Sequence, residues 1–256
     1  MSALPMLGRT SVGLGLLLAW GSLGHVTRTA GMPYAPLGLD ALPMNGGIAL
    51  GFTLVFLGAW VAFVRGRAPD LAAVIIVMLF ALGNQILEWQ QPPGVGVNGA
   101  TALPGAALTA WWVARRTTPA PDERTHRGVE AACGIVAASY ALAMLSKVYT
   151  SGFAWASAGN MGMQIATQGY LVPEPFQSIR LAAAASTPLC AFLGVATLFI
   201  EGGALLFVLP ALRLPIAALL VGMHVGISAL MGLHHYEWMF TALGWAFVSA
   251  GGRRAS

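Results

Sequence analysis

Eight apolar stretches, each near the length of a bilayer-crossing helix, set the terms on which this chain folds. They lie near residues 9–26, 46–65, 69–88, 98–115, 128–148, 185–209, 212–233 and 236–252. A spanning helix needs about 20 mostly apolar residues. The fourth and eighth are the shortest, and each is closed by arginines, in WWVARR and SAGGRR. Only 9% of the 256 residues are charged and 57% are hydrophobic, whereas an ordinary soluble domain carries about 25% charged residues. Such a chain has too little polar surface to coat a water-soluble globule. Its 32 glycines suit helices that approach closely in lipid, where small residues bring backbones together. The expectation is an all-α, polytopic membrane helix bundle of about eight transmembrane helices, forming one domain over residues 1–256.

The loops carry an orientation signal. Lysine and arginine favour the cytoplasmic side of a membrane. With the N-terminus inside and eight spans following, Arg9, Arg65, Arg67, Arg115, Arg116, Arg124, Arg127, Arg213, Arg253 and Arg254 fall inside. Of the 13 basic side chains only Arg28, Lys147 and Arg180 fall outside. Both termini are therefore expected in the cytoplasm, and the protein in the cell inner (plasma) membrane. Trp20, Trp89, Trp111, Trp112 and Trp238 sit near predicted span ends, as interfacial belts do. The net charge of +4 follows from this orientation pattern. No basic stripe marks a nucleic-acid surface.

The first segment reads as an uncleaved helix rather than a signal peptide, because TRTAG is a weak cleavage site. Residues 117–128 form a hydrophilic cytoplasmic linker, and 27–45 and 149–184 form long outer connections. The second of these is expected to be a partly helical outer loop or interfacial cap, since structureless loops of that length are uncommon in compact domains. Cys133 and Cys190 make no CxxC pattern and fall near opposite faces, so they read as small buried apolar residues.

Ionisable groups inside spans are costly and face a bundle interior or a wet cavity. Glu201 lies in the sixth span, on one helical face with Thr197, Gly194 and Cys190. His224 lies mid-way along the seventh, on a face with Ser228, Met231 and His235. The short turn around Pro210–Pro215 makes the two spans an antiparallel hairpin, which sets Glu201 and His224 at similar depth and makes a contact between them feasible. Lys147 ends the fifth span, on a face with Tyr140 and Ala143, while Asn84, Gln85 and Glu88 crowd the end of the third. An outward-opening polar pocket is the simplest arrangement of Lys147, His235, Glu237, Glu88, Asn84 and Gln85. Plainer readings are available for each group: a snorkelling Lys147, a wet turn at His234, His235 and Glu237, an exposed helix end at Asn84–Glu88, and a structural Glu201–His224 hydrogen bond. The spacing matches no metal motif, and HVGIS lacks the serine-protease pattern.

The order LSKVYTSGFAW, FIEGGALLF and GMHVGISALMG resembles the HTTM family. These are bacterial multi-spanning proteins related to the membrane part of vitamin K-dependent gamma-carboxylase. The likeness covers about residues 130–250 and rests on Lys147, Gly152, Trp155, Glu201 and His224 in that order. It implies a carboxylase- or epoxidase-like membrane oxidoreductase or lyase in which Lys147 is the base that deprotonates a reduced quinone. A quinone-type lipid is then the implied cofactor, and a lipophilic molecule or peptide the implied substrate. His224 and Glu201 act in this reading as an intramembrane polar pair that positions groups or relays protons. Tyr140, Trp155, Asn84, Glu88, Ser228 and His235 are the candidate binding residues. A lysine amine held away from water is a usable base, and apolar walls suit a lipid tail. Two further readings stand beside this one: a proton-coupled transporter using His224 and Glu201, and a non-catalytic membrane scaffold.

Overall fold

A computed structural model describes residues 4–23, 46–90, 102–170, 172, 174–233 and 235–252. Among the described residues the regular structure is entirely helical: α1 (Leu4–Leu23), α2 (Gly46–Val64), α3 (Pro69–Gln90), α4 (Ala102–Thr117), α5 (Arg124–Ser151), α6 (Ala158–Gly169), α7 (Phe176–Ala185), α8 (Thr187–Gly203), α9 (Arg213–Met231) and α10 (Tyr236–Gly252). Short 3-10 turns over Gly152–Ala156 and Ala204–Val208 extend α5 and α8. Three stretches are long and apolar enough to cross a membrane, Arg124–Ala156, Thr187–Val208 and Arg213–Met231, and shorter apolar helices run over Leu50–Val64 and Pro69–Asn84.

Each of the eight apolar segments coincides with a helix or most of one. The ends differ from expectation where the sequence turns polar. α5 begins at Arg124 rather than near 128, which contracts the 117–128 linker to residues 118–123. Hydropathy marks the apolar middle of a helix and is blind to a polar first turn. The 149–184 connection is built from the 3-10 turn, α6 and α7. Ser157 caps α6, its hydroxyl accepting from the Asn160 amide at 3.3 Å. Gly152 ends α5 at φ +58°, a left-handed conformation in which a side chain is strained. Arg28, His234, Arg253, Arg254 and the 27–45 connection lie outside the described residues, as do the side chains of Gln85, Glu88 and Trp89.

α1 and α10 are the most intimately packed pair, and they run antiparallel. Ser11 Oγ donates to the Phe240 carbonyl at 2.9 Å. A Cβ on Gly8 would lie 2.6 Å from Val248, and one on Gly244 would lie 2.5 Å from the Val12 backbone nitrogen. Only hydrogen fits at these crossings, so the glycines set the helix separation. Around this pair, Trp20 stacks on Phe56 at 4.6 Å and Trp111 packs against Phe63 and Trp245.

One end of the bundle gathers the polar helix termini. Asp70 Oδ1 accepts from Arg115 Nε at 3.0 Å, and Arg115 also donates to Thr125 Oγ1 at 2.9 Å. Arg213, 1% exposed, donates to the Phe207 and Val208 carbonyls, to Ser249 Oγ at 2.6 Å and to Glu130 Oε2 at 2.7 Å. That single guanidinium ties α9 to α5, α10 and the end of α8.

Candidate functional site

α5, α8 and α9 diverge from this tie and leave a cavity of about 590 Å³ between them, roofed by α6 and flanked by the start of α10. α5 contributes Tyr140, Ala143 and Lys147, whose spacing keeps them on one helical face. On α8, Leu193, Thr197 and Glu201 recur every fourth residue and face the same space. α9 supplies His224, the 3-10 turn Trp155, α6 Met161, Gln164 and Ile165, and the α9–α10 corner His235 and Trp238.

Two hydrogen-bonded couples stand on this largely apolar wall. The Lys147 ammonium lies 2.5 Å and 2.6 Å from the two oxygens of Glu201. The lysine side chain is 24% exposed and the glutamate 6%. A buried carboxylate without a partner is expensive, and Lys147 is the cation within reach. The ammonium also stands 5.0 Å from the centre of the Trp155 ring, within cation–π range. In the second couple, Tyr140 Oη and His224 Nε2 are 2.7 Å apart, and both residues are buried. With the tyrosine as donor, Nε2 accepts and the ring proton sits on Nδ1. His224 Nδ1 is itself buried and has no hydrogen-bond partner. Orphaned buried polar atoms are rare in native structures, and this one belongs to a side chain of the cavity wall. Beyond it, the His235 ring is 6.2 Å from His224, with Nδ1 3.3 Å from Glu237 Oε1.

The site therefore differs from expectation in three ways. Glu201 and His224 do not pair with each other; each has a partner on α5 instead. Equal depth on a hairpin does not fix direction around each helix axis, and the 3-10 turn at Ala204–Val208 alters the rotation between α8 and α9. Lys147 lines the cavity and reaches Glu201, so the plainer snorkelling reading does not describe it. Asn84 is half-buried away from the cavity, because α3 packs on α1, α2 and α4; Glu88 is on the same helix, with its side chain outside the described residues. Ser228 is buried, donates to Tyr236 Oη at 2.8 Å and is absent from the cavity lining, although its own carbonyl accepts from Arg180 at 3.4 Å.

Lys147, Glu201, His224, Tyr140, Trp155 and His235 do come together on one cavity. Sequence reasoning missed Gln164, Met161 and Ile165. Their signal was the Ser157 cap followed by apolar residues four apart, in a segment too short to be noticed as a span. Trp238, read as an interfacial residue, instead meets Tyr140 edge-on at 5.5 Å. Both cysteines are free and buried. Among the described residues no group of three or more His, Cys, Asp or Glu is arranged to hold a metal ion. The chain matches no protein-family model, no curated protein and no solved structure.

Proposed function

We propose that this chain is a multi-pass membrane enzyme that binds a lipophilic molecule with an uncharged, oxygen-bearing head in the α5–α8–α9 cavity and exchanges a proton with that head. The observation that carries the reading is the presence of two acid–base couples, Lys147–Glu201 and Tyr140–His224, on one apolar chamber. The ion pair has no net charge, so a phosphate or carboxylate head gains the ammonium only by facing the Glu201 carboxylate. A carbonyl or hydroxyl oxygen escapes that conflict. Lys147 and Glu201 act as a unit: a proton given up by a head hydroxyl passes to the Glu201 carboxylate, and the ammonium stabilises the oxyanion left behind. His224 Nδ1 gains from a ligand oxygen the partner that it lacks.

The HTTM, carboxylase-like assignment belongs to this proposal, with Glu201 rather than Lys147 itself taking the proton and a quinone-type lipid, in its reduced hydroxyl-bearing form, as the representative ligand. Support comes from Lys147 and Trp155 meeting Glu201 and His224 in one cavity. Eight spans, both termini in the cytoplasm and a plasma-membrane location are likewise proposed. The eight helices, of the ten described, that coincide with the apolar segments, the antiparallel α1–α10 pair and the clustering of arginine-bearing helix ends support them.

The test uses the purified full chain in nanodiscs, titrated with a decyl-substituted benzoquinone. Quenching of Trp155 and Trp238 is read against a Trp155→Phe/Trp238→Phe variant. Saturable quenching, weakened in Lys147→Met and in His224→Gln, is the expected result. Quenching that rises without saturation, as simple partition into lipid does, and that is the same in every variant, overturns the reading.

A further inference from the structure

We infer that the ligand enters sideways, between α8 and α9, and that its single apolar chain stays in that cleft while its head sits at Lys147 and Glu201. This rests on the reading of the cavity as a ligand site and specifies the ligand: a one-chain amphiphile drawn from the bilayer.

The cleft is an unusual use of glycine. Gly222 and Gly226 are one helical turn apart on α9, and both line the cavity. Paired small residues at that spacing ordinarily bring a neighbouring helix into contact, as the single glycines Gly8 and Gly244 do from opposite sides of the α1–α10 crossing. On α9 they do not. A Cβ built on Gly222 or Gly226 meets nothing within 4 Å. Opposite them, Phe192, Ala196 and Ile200 on α8 also line the cavity and also recur every fourth residue. Eight residues of helix give this wall a length of about 12 Å. Along this stretch the space between the two walls is an open slot, with Gly222 itself exposed at its edge.

The slot joins polar to apolar surroundings. At its inner end are Glu201, Lys147 and His224. At its outer edge Phe192 is 68% exposed, and the residues beside it on the outer faces of α8 and α9, Val195, Phe199, Leu219 and Val225, are exposed and apolar. A ligand coming through water meets no polar group at that mouth, whereas a hydrocarbon chain meets only apolar walls. The slot is continuous with the head site, which is why its occupant is the chain of the same molecule.

The experiment fills the slot. Gly222→Leu and Gly226→Leu grow into open space, and leucine is the better helix former, so the fold survives. Ala196→Trp plugs the slot from the opposite wall as an independent variant. Two probes share one head, 2,3-dimethoxy-5-methylbenzoquinone with and without a decyl chain, and binding is read by tryptophan quenching of the full chain in nanodiscs. Wild type is expected to bind both, the decyl form more tightly. The filled variants are expected to lose the decyl form by about tenfold or more, the equivalent of two buried methylenes, and to keep the chainless form unchanged. Variants that bind the decyl probe as wild type does, or that weaken both probes alike, overturn the lateral slot while leaving the head site standing. Failure of wild type to bind either probe removes the head site, and the slot with it.

Discussion

The Arg213–Glu130 pair and the Lys147–Glu201 pair both fasten a neighbour to α5, seventeen residues apart, and they are built for different ends. Arg213 spends its donors on two carbonyls, a serine hydroxyl and a carboxylate, in a site where the guanidinium is 1% exposed. Four of its five N–H groups have protein acceptors. Lys147 has one protein partner for its three protons, a tryptophan face, and open volume beside it. The same electrostatic attraction locks a joint in one place and leaves hydrogen-bonding positions open in the other. What separates them is the number of unspent hydrogen-bonding positions and the volume next to them.

Several substitutions push on that contrast. Arg213→Met is expected to cost most, about 3–5 kcal/mol, because it orphans two carbonyls and Ser249 in a buried site and leaves Glu130, 31% exposed, with His126 at 3.6 Å; unfolding in detergent measures it, and a loss no larger than that of Lys147→Met would put the two pairs in the same class. Gly244→Ala comes next at about 1–3 kcal/mol, since its Cβ runs into the Val12 backbone. Lys147→Met leaves Glu201 buried and uncompensated, and is expected to destabilise by about 2 kcal/mol, the lower end for a broken buried pair because the lysine is partly exposed. Adding Glu201→Leu should restore that stability without restoring quinone quenching; if the double variant stays as unstable as the single one, the pair is structural like its counterpart. Tyr140→Phe removes one hydrogen bond, for about 1 kcal/mol, and is expected to weaken binding of the benzoquinone probe more than it lowers the melting temperature. Gly226→Ala should be neutral or stabilising by up to about 1 kcal/mol, the opposite sign to Gly244→Ala. Equal penalties at the two glycines would mean that the cleft closes on itself.

Much of this was readable from residues. Glu201 and His224 stand out because an ionisable group in an apolar run demands a partner, and Lys147 because it breaks the arginine pattern. The partners were not readable. Axial depth follows from counting residues, but the direction in which a side chain points depends on helix rotation, and the 3-10 turn at Ala204–Val208 changes the rotation between α8 and α9. Asn84 lies away from this cavity for a related reason. Polar residues at the end of α3 look like those at the ends of other spans, and only packing reveals that α3 stands among α1, α2 and α4. Gln164 escaped because α6 has 12 residues, below the length at which an apolar run draws notice. The slot was hidden in plain glycine: Gly222 and Gly226 have the same spacing as a contact motif, and only the empty space beside them reverses the meaning.

Arg180 on α7 donates to the Ala229 carbonyl at 2.8 Å and to that of Ser228 at 3.4 Å, where α9 ends in Gly232 at φ +67°. α7 packs on α6, which covers the chamber. The ceiling is therefore bolted to the same rod that bears His224. Under the proposed sideways entry, widening the gap beside α8 and reshaping the space over the head are therefore one mechanical event rather than two.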